Sequence, residues 1–236
     1  MSAEVPPRNV SELIGDLVGA LTAVSDPAKA GPMKAYMKEI APFLGVPSPA
    51  RRSATKTIRS EALKYDEPTF VQFCIACFAQ PEREFHYVAL DALDRRAKKL
   101  SESTLPVLRS LAETKSWWDS IDSLSTVIGA GVVRFVSWQT EIEKWATDSN
   151  FWIRRIAILH QLGQGVDTDT DRLFRIVLAN ASDREFFIRK AIGWALRDLA
   201  WKRPDVVLAF VDAHRADLSP LSVREATKNL RGARTK

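Results

Sequence analysis

Along almost the whole chain, apolar residues recur at spacings of three and four, and alternation with period two between turn residues is nearly absent. That pattern admits packed helices and excludes a sheet-based fold. Helices are expected over residues 10–24, 27–40, 49–65, 67–79, 82–100, 103–113, 117–129, 134–147, 150–162, 168–180, 184–202, 204–215 and 220–231. Several begin at recognisable start signals: Ser48 before Pro49, Ser116 with Asp119, Ser182 with Glu185, and Ser219 before Pro220. Helices of this length, joined by short connections and pairing at roughly forty-residue intervals, fit an α-solenoid of degenerate HEAT-like repeats. No Pro/Gly-rich linker divides the chain, so the expectation is an all-α, curved single domain. Residues 1–26 form an N-terminal segment with the first helix, 27–231 the repeat body and 232–236 a short basic tail.

With 236 residues, 46% of them hydrophobic, the chain has enough apolar material for a sizeable core, which excludes a disordered or disulfide-stapled class. The longest uncharged run, residues 68–81, is interrupted by Gln72 and Gln80 and is too short to span a bilayer. No membrane association is expected. The start MSAEVPPRNV lacks a basic segment followed by an apolar one, so a cytoplasmic location is expected, and two cysteines suit a reducing compartment.

The net charge of +5 is unevenly spread. Residues 34–64 carry +5, 184–203 carry +4, 224–236 carry +4, and Arg154 with Arg155 adds +2, so the remainder is net acidic. If the basic segments share one side, they suit a polyanion; otherwise they are ordinary solvated helix faces.

Three stretches carry chemistry. In the first, Ser116-Trp117-Trp118-Asp119-Ser120-Ile121-Asp122, Trp117 aligns with Ile121, Leu124 and Ile128 in the core stripe. Trp118 and Asp122 stand one turn apart on its flank, an indole beside a carboxylate. Asp119 has a local role open to it as the third residue of a capping box begun by Ser116, whereas Asp122 has none. The second is 184–202. Ile188, Ala191, Ile192, Ala195 and Leu199 make its core stripe, and Phe186, Lys190, Trp194, Arg197 and Trp201 share the opposite side, with Gly193 thinning the surface beside Trp194. Aromatics among bases suit phosphate contact and stacking, or else fill a second packing layer. The third is a basic stripe of Arg52, Lys56 and Arg59, which could follow a phosphate backbone or face solvent.

Other motifs point away from chemistry. Cys74 and Cys77 have C-x-x-C spacing inside an apolar helix without further ligands, so they read as core. His86, His160 and His214 are scattered, and no P-loop or G-x-G-x-x-G occurs.

The runs 32–38, 81–85, Thr114-Lys-Ser-Trp-Trp-Asp-Ser-Ile-Asp122, 148–155 and Glu185-Phe-Phe-Ile-Arg-Lys-Ala-Ile-Gly-Trp-Ala-Leu-Arg197 closely resemble the AlkD family of bacterial DNA alkylation repair glycosylases. The match extends in order over about residues 27–230. The resemblance implies a HEAT-like solenoid cupping double-stranded DNA that contains alkylated purines. It implies a monomeric, monofunctional glycosylase, nucleoid-associated when at work, that uses no metal or cofactor. Such an enzyme releases N3- and N7-alkylated purines such as 3-methyladenine and 7-methylguanine without turning the base out of the duplex. Its catalytic residues fall on Asp122, Trp118 and Trp194, with Arg155 on a backbone phosphate and Tyr36 lining the site. Phe186, Phe187, Lys190, Arg197, Arg52, Lys56 and Arg59 complete the expected DNA contacts. Two other readings fit the same features: a catalytically silent binder of damaged or branched DNA, and a scaffold gripping an acidic protein.

Overall fold

A computed structural model describes residues 8–230, and among them it holds fourteen α-helices and no strand. The basic tail 232–236 and residues 1–7 lie outside the described residues. The chain divides into two compact units, one ending at Ser120 and the other beginning at Ile121. No composition shift marks that boundary, because it falls inside a continuous helix.

The first unit holds α1 (Val10–Thr22), α2 (Pro27–Tyr36), α3 (Ser48–Ala54), α4 (Lys56–Ala62), α5 (Glu67–Phe78), α6 (Arg83–Arg96) and α7 (Leu105–Glu113). α1 begins at a capping box in which Asn9 accepts from the Glu12 amide and Glu12 reaches back to the Asn9 amide. Its buried face is Leu13, Leu17 and Leu21, one per turn, and each side chain so buried contributes about 1.5–3 kcal/mol. α5 lies between α1 and α6, with Phe70, Phe73, Cys74 and Cys77 against Phe85, Val88, Ala89 and Leu93 in the core. Both thiols are free and buried, and burial pushes their pKa values up, which leaves them inert. The buried Glu84 carboxylate accepts the amides of Leu44, Gly45 and Val46 and so anchors the loop that leads into α3.

One expected helix is divided. Residues 49–65 form α3 and α4, which meet at Thr55. The Thr55 hydroxyl donates to the Arg51 carbonyl, which also accepts the Thr55 amide, and accepts from Arg59 Nε; Thr55 itself sits at φ −100°, ψ 8°, outside helical geometry.

α8 (Trp118–Val132) starts in the first unit and continues in the second, which also holds α9 (Val136–Trp145), α10 (Phe151–Leu159), α11 (Thr170–Ala179), α12 (Phe186–Ala200), α13 (Pro204–Ala213) and α14 (Pro220–Ala226). α12 is the hub, packed by α10, α13 and α14. Its buried stripe of Ile188, Ala191, Ile192, Ala195 and Leu199 is the one expected from spacing. Gly193 has a different use from the one expected: a Cβ there would collide with Glu225 Cβ, so its bareness lets α14 approach α12. No helix of the described residues is long and apolar enough to cross a membrane.

Candidate active site

The approach to α8 is set by Arg83, a fully buried arginine on α6. Its Nε and Nη2 grip the two Asp119 oxygens at 3.0 and 2.6 Å, Nη2 also donates to Ser120 Oγ, and Nη1 donates to the Lys115 carbonyl and to His86 Nδ1. All five N–H groups are therefore used. Tyr87 adds a hydroxyl to the same carboxylate at 2.6 Å. Lys115 sits at φ 45°, a conformation costly for a residue with a side chain, and it is held by that carbonyl bond and by its ammonium on the Gln80 and Pro81 carbonyls. The capping box expected of Ser116 and Asp119 is replaced: the Ser116 hydroxyl donates to the Ala112 carbonyl, and Asp119 takes Arg83 instead. This arrangement fixes the turn from which Trp118, the first residue of α8, projects.

One turn further along, Asp122 belongs to the second unit, and its carboxylate receives a two-pronged grip from α10. Arg155 Nε and Nη2 donate to its two oxygens at 2.8 and 2.9 Å, while Nη1 donates to the carbonyl of Phe187, at the start of α12. Arg155 is 4% exposed and its guanidinium lies under the Phe187 ring at 5.9 Å. Phe187 in turn tilts against Trp152 of α10, centroids 4.9 Å apart. Three of the five Arg155 N–H groups therefore serve the protein, a role in orienting Asp122 that the sequence reading did not assign to it. Asp122 itself keeps 17% of its side chain exposed. A carboxylate oriented by a guanidinium fork and still reachable from outside can face a developing positive charge.

On α12, Phe187, Lys190, Trp194 and Arg197, with its C-cap residue Trp201, follow at spacings of three and four and make one stripe. Trp194 is half-buried, whereas Phe186 (50%) and Trp201 (69%) are exposed, so these two do not fill a second packing layer. The bases differ from their sequence reading. Lys190 and Arg197 both pair with Glu225 of α14, at 3.1 and 2.7 Å, and their hold outweighs burial in keeping the Glu225 carboxyl below the usual range. Arg154 is likewise paired, with Asp183 at 2.7 Å. On α12, two cations thus share one carboxylate.

In the first unit Tyr36 is exposed (72%) at the end of α2. Arg52 and Lys56 are exposed, but Arg59 is buried, bonded to Thr55 Oγ1 and the Arg52 carbonyl, so the expected solvent-facing stripe loses its third member. His86 and His160 are buried, and His214 sits beside Asp217. Among the described residues no three His, Cys, Asp or Glu are arranged to hold a metal ion. Sequence reasoning missed Glu225, Asp183 and Asp91, the acids that pair with the bases, because nothing local marks an acid as the partner of a base about thirty or more residues away.

Against this geometry stand the comparisons with known proteins. A profile of the DNA alkylation repair enzyme family matches residues 17–230. Among solved structures, a predicted DNA alkylation repair enzyme from Enterococcus faecalis aligns with a TM-score of 0.81 at 31% identity, covering 88% of this chain and 97% of that one. The smu.31 protein of Streptococcus mutans UA159 (TM-score 0.59, 16% identity, 84% and 98% covered) shares the fold. So does AlkD2 from Streptococcus mutans (0.59, 17%, 74% and 89%). Comparison with curated proteins finds no match.

Proposed function

The chain belongs to the DNA alkylation repair enzyme family, and from that premise we propose that it is a monofunctional glycosylase that hydrolyses the N-glycosidic bond of N3- and N7-alkylated purines in double-stranded DNA. The observation that carries this reading is the Asp122 carboxylate, held by the Arg155 fork and still exposed. An alkylated purine is already cationic and leaves without a strong general acid, and its departure builds positive charge on the deoxyribose. A carboxylate about 4 Å from that charge contributes about 4 kcal/mol at an effective dielectric near 20. Arg155 offsets part of this, leaving on the order of 2–3 kcal/mol, a rate factor near 100. The same carboxylate directs the attacking water. The Arg155 fork prevents the carboxylate from rotating away.

Trp118 and Trp194 offer indole faces to the cationic base and sugar, each contributing about 0.5–2 kcal/mol. Phe186, Lys190 and Arg197 lie along the DNA, with Tyr36, Arg52 and Lys56 as further contacts. The protein works as a monomer in this reading. Incubation with duplex DNA carrying 7-methylguanine tests it: free base is released faster than spontaneous depurination. A rate equal to the spontaneous one, with salt-sensitive duplex binding retained, identifies a silent DNA-binding protein instead. Failure to bind duplex even at low salt leaves the acidic-protein scaffold.

A further inference from the structure

The arginines of α3 and α4 surround a cleft of about 430 Å³ in the first unit, lined by Arg52, Lys56, Arg59 and Arg95 together with Asp91 and Asp94. Its countercharge is short. Asp91 alone serves three guanidiniums: Arg51 Nη2 at 3.2 Å, Arg52 Nε at 3.6 Å and Arg59 Nη1 at 3.9 Å. Arg51 and Arg59 are 5% and 7% exposed, and Arg51 Nε is buried without a hydrogen-bond partner. Burial lowers the pKa of Arg59, and Arg95, Arg51 and Arg52 push it further the same way, against the pull of Asp91. Four cations of the lining (Arg52, Lys56, Arg59, Arg95), with Arg51 as a further partner of Asp91, thus share two carboxylates. Arg51 and Arg59 are the buried pair among these, both leaning on the Asp91 carboxylate; two buried cations on one acid are costly, and an anion entering beside the exposed Arg52, Lys56 and Arg95 lowers that cost.

We propose that this cleft is a phosphate-binding site: a compact tetrahedral oxyanion enters between Arg52, Lys56 and Arg95, with Arg59 at its base and Asp91 as the internal counterion that holds the guanidinium forks in place when the site is empty. Guanidinium forks match phosphate oxygens two at a time, which a flat stripe of solvated bases does not do. Two sources present this group, a backbone phosphate of duplex DNA and a free phosphate. The proposal rests on the DNA reading only for the first of them.

The test compares the full chain with Arg52→Gln/Lys56→Gln, both exposed positions, and with Lys98→Gln/Lys99→Gln, an equal charge loss at exposed positions of the same unit. In sodium phosphate against sodium chloride of equal ionic strength, wild type and the Lys98/Lys99 variant gain several degrees in Tm. The Arg52/Lys56 variant loses more than half of that gain. For a short unmodified duplex, the slope of log Kd against log salt falls by about one to two in the Arg52/Lys56 variant if a backbone phosphate occupies the cleft. A response to inorganic phosphate alone assigns the site to free phosphate. The proposal is overturned if neither arm responds, or if the Lys98/Lys99 variant loses as much in both. Base release enters neither arm, so failure of the glycosylase reading is seen separately.

Discussion

Two arginine–aspartate forks stand three residues apart at the start of α8, and their differences separate architecture from chemistry. Arg83 with Asp119 is sealed: 0% and 8% side-chain exposure, every guanidinium N–H used, and a tyrosine hydroxyl on the carboxylate. Arg155 with Asp122 has the same two-pronged geometry, but its acid is 17% exposed and its arginine keeps N–H groups unspent. Both forks fix a carboxylate. Only the second leaves one where an incoming positive charge can meet it. A buried ion pair is weak evidence for stability in itself, so the sealed fork is better read as specifying one path into α8, while breaking it strands a charge.

Four experiments probe that contrast. Arg83→Met strands the Asp119 carboxylate and should cost about 3–5 kcal/mol of unfolding free energy, measured by urea titration. A loss below about 1 kcal/mol would show that the node is not structural. Asp122→Asn should leave the fold in place and slow 7-methylguanine release about 100-fold, or ~2.7 kcal/mol, in single turnovers at saturating duplex. An unchanged rate would move the chemistry elsewhere.

Acid should attack the sealed side. Arg83 can only donate, so His86 Nδ1 must accept and the ring is neutral; burial, then Arg83, depresses its pKa to about 3, and burial depresses that of His160 to about 4. The unfolded chain takes up protons below about pH 6.5 while the folded chain does not, so this stability is complete above pH 6.5 and declines as pH falls toward those values. Between pH 6.5 and 5 the loss should be about 1.6 kcal/mol per histidine, read from urea midpoints. His86→Phe, with the flat ring kept for stacking on Phe78, should remove its share; an unaltered pH profile would contradict the assignment. The smallest effect is expected from Arg155→Lys, which keeps the charge but loses the fork: about tenfold slower base release, with Kd for duplex nearly unchanged. A large loss of affinity with normal turnover would make phosphate contact, and not the fork on Asp122, the main role of Arg155.

Much of this was legible in the chain itself. Leu13, Leu17 and Leu21, and the Ile188 to Leu199 stripe, announce their helices and buried faces by spacing, and the paired Trp118 and Asp122 stand out because no cap or core role claims Asp122. The break at Thr55 was not legible, because a threonine that turns its hydroxyl onto its own backbone looks like any other in a helix-forming run. Nor was the difference between Arg154, Arg155, Arg59 and Lys190 as free bases and as partners of Asp183, Asp122, Asp91 and Glu225.

Sequence alone determined the helical class, the core faces and the residue types able to meet a cation, because helical periodicity is a local property that a few neighbouring residues already express. Tertiary structure alone decided which charges are spent and which remain to act. A carboxylate and a guanidinium separated by thirty-three positions, as Asp122 and Arg155 are, acquire their relation only when packing brings α8 and α10 together and removes the water that would otherwise screen them.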